Sequence, residues 1–293
     1  MRSWGVPWKF GGYLGRGDGV RAIASGSHPI AFGFTMALGL CLYCALHGEL
    51  KRPLYRIVGW AAFAFALIAS ISRGPWVGAA AGLCVVYFTG SESLDVKLRR
   101  AALGSLLVIG LLALTPYGQK AVDYLPFVGT VDEGSVVYRE RVFSVSLQVI
   151  LQYPLFGAHS YSGSALEELR QGEGIIDIVN AYVGVALGNG LVGLLVYVGV
   201  LLASLFTVWR SWLRSRRVEK SLDNIGRALL GGLVAMLVTL ATTSMVGLIY
   251  QLYWILAGLS AGYALAVSMR AASSGSLADS SYAHTRYMAS NWR

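Results

Sequence analysis

From Leu54 to Phe88 the chain is apolar almost throughout, yet Arg73 stands near the middle, in Ile71-Ser72-Arg73-Gly74-Pro75-Trp76. A guanidinium is not deprotonated at any accessible pH, and within a membrane span it costs at least a few kcal/mol. The stretch therefore folds as two helices meeting at a polar turn. Arg73 there is either an interfacial anchor, snorkelling to headgroups beside Trp76, or part of a binding site.

The same apolar character recurs along the chain, which is 55% hydrophobic and only 13% charged with a mean hydropathy of +0.58. Several runs reach the roughly 17–25 residues that cross a bilayer as a helix. The expected fold is an all-α polytopic membrane protein with about seven transmembrane helices. The net charge of +9 does not point to nucleic acid, because the basic residues cluster in short loops between apolar runs. Cys41, Cys44 and Cys84 lie inside such runs, where thiols act as small hydrophobes, and two thiols alone make a poor metal site.

Residues 1–28 are Gly-rich, with no apolar core of a signal peptide. Ser27-His28-Pro29 starts the first span, Ile30–Leu46, since proline suits a helix's first turn. Leu54–Ile71, Val77–Thr89 and Ala101–Thr115 follow, giving a four-helix membrane region over 29–115. Gly74, Gly78 and Gly82 at four-residue spacing predict close packing of the third helix on a neighbour. A long polar loop, 116–177, precedes a three-helix membrane region over 178–269, made of Ile178–Trp209, Ala228–Ser244 and Gly247–Val267. The first of these is 32 residues long. A straight helix of that length spans about 48 Å against a hydrocarbon core of about 30 Å, so it tilts, projects, or breaks near Gly188-Asn189-Gly190. Residues 270–293 form a Ser/Ala-rich tail expected to be disordered. Alternating the loops places fifteen of the 24 lysines and arginines on one side, which predicts that side to be cytoplasmic. Arg73, His28 and the long loop then share the outer, periplasmic side.

Within the loop, Tyr138–Tyr153 reads as an amphipathic helix ended by Pro154. Arg139, Phe143, Leu147 and Ile150 share one face, which predicts Arg139 to be buried and in need of an anionic partner. Arg141 falls on the more polar face, solvated or paired with Glu140 or Asp132. Asp177 precedes the fifth span, where it suits a helix N-terminus or a catalytic carboxylate. His159 is of the residue type that can exchange a proton near neutrality, but nothing in its local sequence distinguishes it.

Ser72-Arg73-Gly74-Pro75-Trp76, the Arg139/Phe143/Pro154-Leu-Phe-Gly157 pattern, and Asn180-Ala-Tyr182 followed by Gly190-Leu-Val-Gly193 together resemble the O-antigen ligase/polymerase superfamily over about residues 20–210. The stretch from Arg21 through Ser27-His28-Pro29 belongs to the same pattern. The resemblance implies a multi-pass glycosyltransferase of the bacterial inner membrane. Such enzymes move a glycan from an undecaprenyl-diphosphate carrier to an acceptor hydroxyl on a glycan or lipid, at the periplasmic face. It further implies that Arg73 and Arg139 bind the diphosphate, with Asn180, Tyr182 and Arg141 as further substrate contacts and no metal or other cofactor. The family's ligases carry a histidine before the asparagine, where this chain has Val179. Another group must then take the acceptor's proton, with Asp177, Glu173 and His159 as candidates in that order. Family chains carry additional N-terminal spans, so a chain beginning here is expected to lack them. Two other readings stand beside the enzyme: a non-catalytic member of a polysaccharide assembly complex, and a transporter for a lipid-linked sugar, which calls for paired broken helices.

Overall fold

A computed structural model describes residues 15–16, 19–26, 28–114, 133–158, 166–169, 176–216 and 218–290. Apart from a two-residue antiparallel hairpin, Gly15–Arg16 with Gly19–Val20, and short 3-10 turns, the described chain is helical. The helices are α1 (Pro29–Leu46), α2 (Pro53–Ala69), α3 (Arg73–Phe88), α4 (Leu94–Leu114), α5 (Glu133–Gln152), α6 (Ala181–Ser215), α7 (Lys220–Leu240) and α8 (Ile249–Ser290). Four have segments long and apolar enough to cross a membrane: Pro29–Glu49, Ala181–Ser215, Lys220–Leu240 and Ile249–Ser273. Each of the seven apolar segments expected from sequence falls on a helix, but α2 and α3 have only 17 and 16 residues. At 1.5 Å per residue these reach about 24–26 Å, short of a full hydrocarbon core.

Helix α7 is the hub, packed against α1, α3, α6 and α8. Its Leu229, Leu230, Leu233, Met236 and Leu240 are buried with Phe34 and Leu38 of α1, Leu201 of α6 and Tyr253 of α8. The glycine spacing in α3 is a packing seam. A Cβ on Gly78 would lie 2.7 Å from the Ala235 carbonyl, and one on Gly82 2.5 Å from that of Gly231. Gly231 returns the constraint, its own Cβ position lying 2.8 Å from the Gly82 carbonyl. Bare backbones in contact set α3 against α7, and the seam ends where Gly74 meets Thr242 and Thr243.

Helix α6 breaks where its length requires. Gly190 has φ 67° and ψ −171°, dividing α6 into a short first arm and a long second one. In a straight helix the Cα atoms of Tyr182 and Tyr197 would stand about 22 Å apart, yet their ring centroids are 6.2 Å apart, so the bend is sharp. The backbone groups freed by the break are met by the loop after α5. Leu191 N–H donates to the Pro154 carbonyl at 2.8 Å, Val192 N–H to that of Leu155 at 3.3 Å, and Ala158 N–H to that of Leu187 at 2.8 Å. Gly157, also at positive φ (78°), lets this loop lie directly on the break.

The buried stripe of α5 differs from the expected one. Val142, Ser146 and Val149 pack inward with Val145 and Tyr138, while Phe143 is 54% and Leu147 47% exposed. Arg139 is exposed as well, as is Arg141. The break loop docks the end of α5 on α6, and the stripe that packs lies one position round the helix from the one amphipathicity suggested.

Replacing Gly190 by alanine forces a Cβ into the Leu155 carbonyl at a left-handed φ, which should cost about 2–4 kcal/mol. Gly199, in the second arm with open space around its Cβ position, is the control, and alanine there should be neutral or stabilising by up to about 1 kcal/mol. Thermal melts of the two detergent-solubilised variants check the contrast.

Candidate functional site

Arg73 is the first residue of α3, because Pro75 sits comfortably within a helix's first turn and Trp76 N–H reaches the Ser72 carbonyl at 3.3 Å. The turn that delivers it is unusual. Ile71 has φ 42°, a left-handed conformation that a β-branched residue rarely adopts. Arg21 grips both sides of this residue, its Nε donating to the Ser70 carbonyl at 3.2 Å and its Nη2 to Ser72 Oγ at 2.7 Å. Ser72 Oγ in turn donates to the Ser70 carbonyl at 2.9 Å, and both serines are buried.

His28 caps α1, its Nδ1 accepting from Ile30 N–H at 3.2 Å. Burial first, then the Arg21 guanidinium, push its imidazole below the ordinary 6.5, with the Asp177 carboxylate pulling the other way. Asp177 does not cap α6. That role belongs to Asn180, whose Oδ1 accepts from Tyr182 N–H at 3.0 Å and Val183 N–H at 3.2 Å. Asp177 is held instead by Ser244 Oγ–H, which donates to its Oδ1, and its backbone N–H donates to Tyr138 Oη at 3.2 Å. Burial raises the Tyr138 phenol above its usual value, so it stays protonated and donates onward to the Leu169 carbonyl at 3.3 Å.

Two cavities meet at Ile178 and Asn180. One, of about 370 Å³, is walled by Arg139, Glu140 and Phe143 of α5, by Val179, and by Thr242 beyond α7. A small apolar groove of about 200 Å³ adjoins it through Phe143 and Val183 and runs past Leu147 and Ile150 to Leu194. The second cavity, of about 730 Å³, lies in the crook of bent α6. Asp177 and Ser244 stand at its polar end, and Tyr197, Tyr253 and Trp254 line its apolar part. Arg139 beside Glu140 thus stands on one cavity and the Asp177 carboxylate on the other, with Asn180 on both walls.

Of the residues singled out from sequence, Arg139, Asn180 and Asp177 converge here. Arg73 is on neither wall, but its neighbour Gly74 packs on Thr242, which lines the Arg139 cavity. Tyr182 spends its hydroxyl on the Leu237 carbonyl at 2.8 Å and lines only the small groove. Arg141 is exposed and on none of these walls. His159 and Glu173 lie outside the described residues. Val179, at the position of the family's histidine, lines the Arg139 cavity. Sequence reasoning missed Thr242 and Ser244, although Thr242-Thr243-Ser244 is a run of three hydroxyls between two apolar helices. Among the described residues no cluster of three or more His, Cys, Asp or Glu side chains could hold a metal ion.

Because His28 is held neutral, acid works against the native state. Below about pH 6.5 the unfolded chain takes up the proton first, so stability falls until the native imidazole is also protonated and can no longer cap Ile30. His28→Asn keeps a good cap and removes the titration. Its melting temperature should fall less between pH 7.5 and 5 than that of the parent chain.

The comparison with known proteins fits this arrangement. Residues 58–198 match the family model described as O-antigen ligase, a stretch that contains Arg73, Arg139, Asp177 and Asn180 and stops short of Thr242 and Ser244. No curated protein matches the chain by sequence. That family description is in keeping with a chain that has four helices long and apolar enough to cross a membrane. Over residues 58–198, just under half of its length, the chain is similar to the O-antigen ligase family.

Proposed function

We propose that this chain is a metal-independent glycosyltransferase of the bacterial inner membrane, working at the periplasmic face. It would transfer a glycan from undecaprenyl diphosphate to an acceptor hydroxyl in O-antigen or exopolysaccharide synthesis. The observation that carries the reading is the pair of cavities sharing Asn180, one with the Arg139 guanidinium on its wall and the other with the Asp177 carboxylate. A diphosphate belongs on the arginine side, where a guanidinium offers paired charge-assisted donors. A hydroxyl that must lose its proton belongs on the carboxylate side.

In this reading the donor's diphosphate lies against Arg139, with Arg73 approaching from the Thr242 side, and the isoprenoid tail follows the groove along Leu147 and Ile150. The acceptor hydroxyl reaches the anomeric carbon from the Asp177 side. Asp177 accepts its proton as the new C–O bond forms, and the electron pair of the breaking C–O bond leaves with the lipid diphosphate. The guanidiniums stabilise that departing charge, and attack from the opposite cavity inverts the anomeric centre. Ser244 holds one oxygen of Asp177, directing the other to the hydroxyl. Val179 offers no base, which makes Asp177 the proton acceptor in place of the family's histidine. Asn180 caps α6 with its oxygen and keeps its amide N–H groups for a ligand between the two cavities.

Complementation of a bacterium lacking its own polymerase tests this. Arg139→Ala and Arg73→Ala should each cut polymer formation about 100-fold or more, with the protein still inserted at normal levels. Asp177→Asn should lower kcat by a factor of about 10²–10⁴ with little change in KM. Undiminished polymer from the two arginine variants would remove the diphosphate site and favour a non-catalytic role in the assembly complex.

A further inference from the structure

The left-handed Ile71 is one residue from buried Ser72 and two from Arg73. A β-branched side chain held at positive φ persists only where surrounding contacts over-determine it. Those contacts come both from the segment before α1 and from the two helices it joins. Besides the two bonds from the Arg21 guanidinium, Ala22 N–H donates to the Ala69 carbonyl at 2.9 Å, so the segment before α1 pairs with the end of α2. From the other side Trp76 Nε1–H donates to the Leu67 carbonyl at 2.8 Å and Ser70 Oγ to the same carbonyl at 2.7 Å. Gly33 of α1 makes room for the turn, its absent Cβ lying 2.6 Å from Ser70 Oγ.

We infer that Arg21 is a positioning residue: its fork across Ser70 and Ser72 holds Ile71 in the left-handed conformation that starts α3 at Arg73 and aims that side chain. The role Arg73 then plays rests on the diphosphate reading above, but the clamp itself does not. A left-handed residue between two helices reverses the chain within three residues. A relaxed Ile71 would swing the first turn of α3 away from Thr242, against which Gly74 packs. The fork needs two donors in fixed planar geometry, which arginine has and lysine lacks. Ile71 supplies the suppressor, because glycine adopts positive φ without steric cost.

The test is a four-variant set in the polymer assay, with membrane insertion and melting temperature measured for each. Arg21→Ala and Arg21→Lys should each lose at least tenfold in rate, the lysine variant despite keeping its charge. Ile71→Gly alone should stay within threefold of the parent chain. Ile71→Gly combined with Arg21→Ala should regain most of the lost rate. A second readout is independent of activity. With Cys41, Cys44 and Cys84 replaced by alanine, the thiol of Arg73→Cys should react faster with a polar maleimide when Arg21 is alanine, and slow again when Ile71 is glycine. Parent-like rates for Arg21→Ala, or a loss that glycine at 71 leaves untouched in both readouts, would overturn the clamp. An active Arg73→Ala would instead defeat the diphosphate reading, while the thiol experiment still decides for or against the clamp.

Discussion

The site depends on how the broken backbone of α6 is satisfied. A helix interrupted inside an apolar environment exposes N–H and C=O groups that no water can meet, each costing several kcal/mol if left unpaired. Here the carbonyls of Pro154 and Leu155 and the N–H of Ala158 pair with the break on either side of Gly190. This one junction ties the end of α5 to the bend of α6. It determines which way α5 is rolled and therefore where Arg139 stands. It also folds the first arm of α6 back over the second, which opens the cavity beneath Asp177. Gly157 and Gly190 are both left-handed at the junction, so the close approach is built into the backbone rather than left to side-chain packing.

The opposite wall is set by bare backbone. Gly78 and Gly82 of α3 lie against the carbonyls of Ala235 and Gly231 in α7, and Gly74 lies against Thr242 and Thr243. This seam delivers the N-terminus of α3, with Arg73, to the hydroxyl-rich turn after α7 that also lines the Arg139 cavity. Two arginines far apart in sequence are thus brought toward one turn by separate devices, a glycine seam and a helix break. Both put the charges on helices whose places are fixed by backbone contacts. At the opposite end of the bundle, cations close helices instead: Lys97 Nζ donates to the carbonyls of Phe88 and Gly90, and Arg227 Nη2 to that of Val86. There a positive charge meets the negative end of α3 and finishes a helix.

Much of this was legible in the residues. The apolar runs, the proline at 29 and the proline after α5 marked helix limits because each encodes a local preference the fold keeps. The glycine spacing of α3 announced a close neighbour, and the length of the 178–209 run called for a tilt, a projection or a break, of which the structure shows the break at Gly190. Two local readings failed for related reasons. Asp177 looked like the cap of α6, but Asn180 is closer to the first turn and its oxygen reaches two free N–H groups. Arg139 looked buried because its helical face is apolar, but the neighbouring stripe of Val142, Ser146 and Val149 is the one that packs.

The sequence by itself determined that this chain is a bundle of apolar helices with arginines at Arg73 and Arg139, and that its motifs resemble those of O-antigen ligases. Hydrophobic length, helix-terminal residues and motif spacing are properties of contiguous stretches. Tertiary structure decided that Asn180 faces two cavities, that Asp177 pairs with Ser244 across 67 residues, and that Arg21 reaches Ser72 across 51. Those pairings depend on the bend of α6 and the contact of α3 with α7, which no local pattern encodes. The same apolar residues would suit many mutual arrangements of the helices. The backbone contacts at glycine select one, and with it the side chains that line the two cavities.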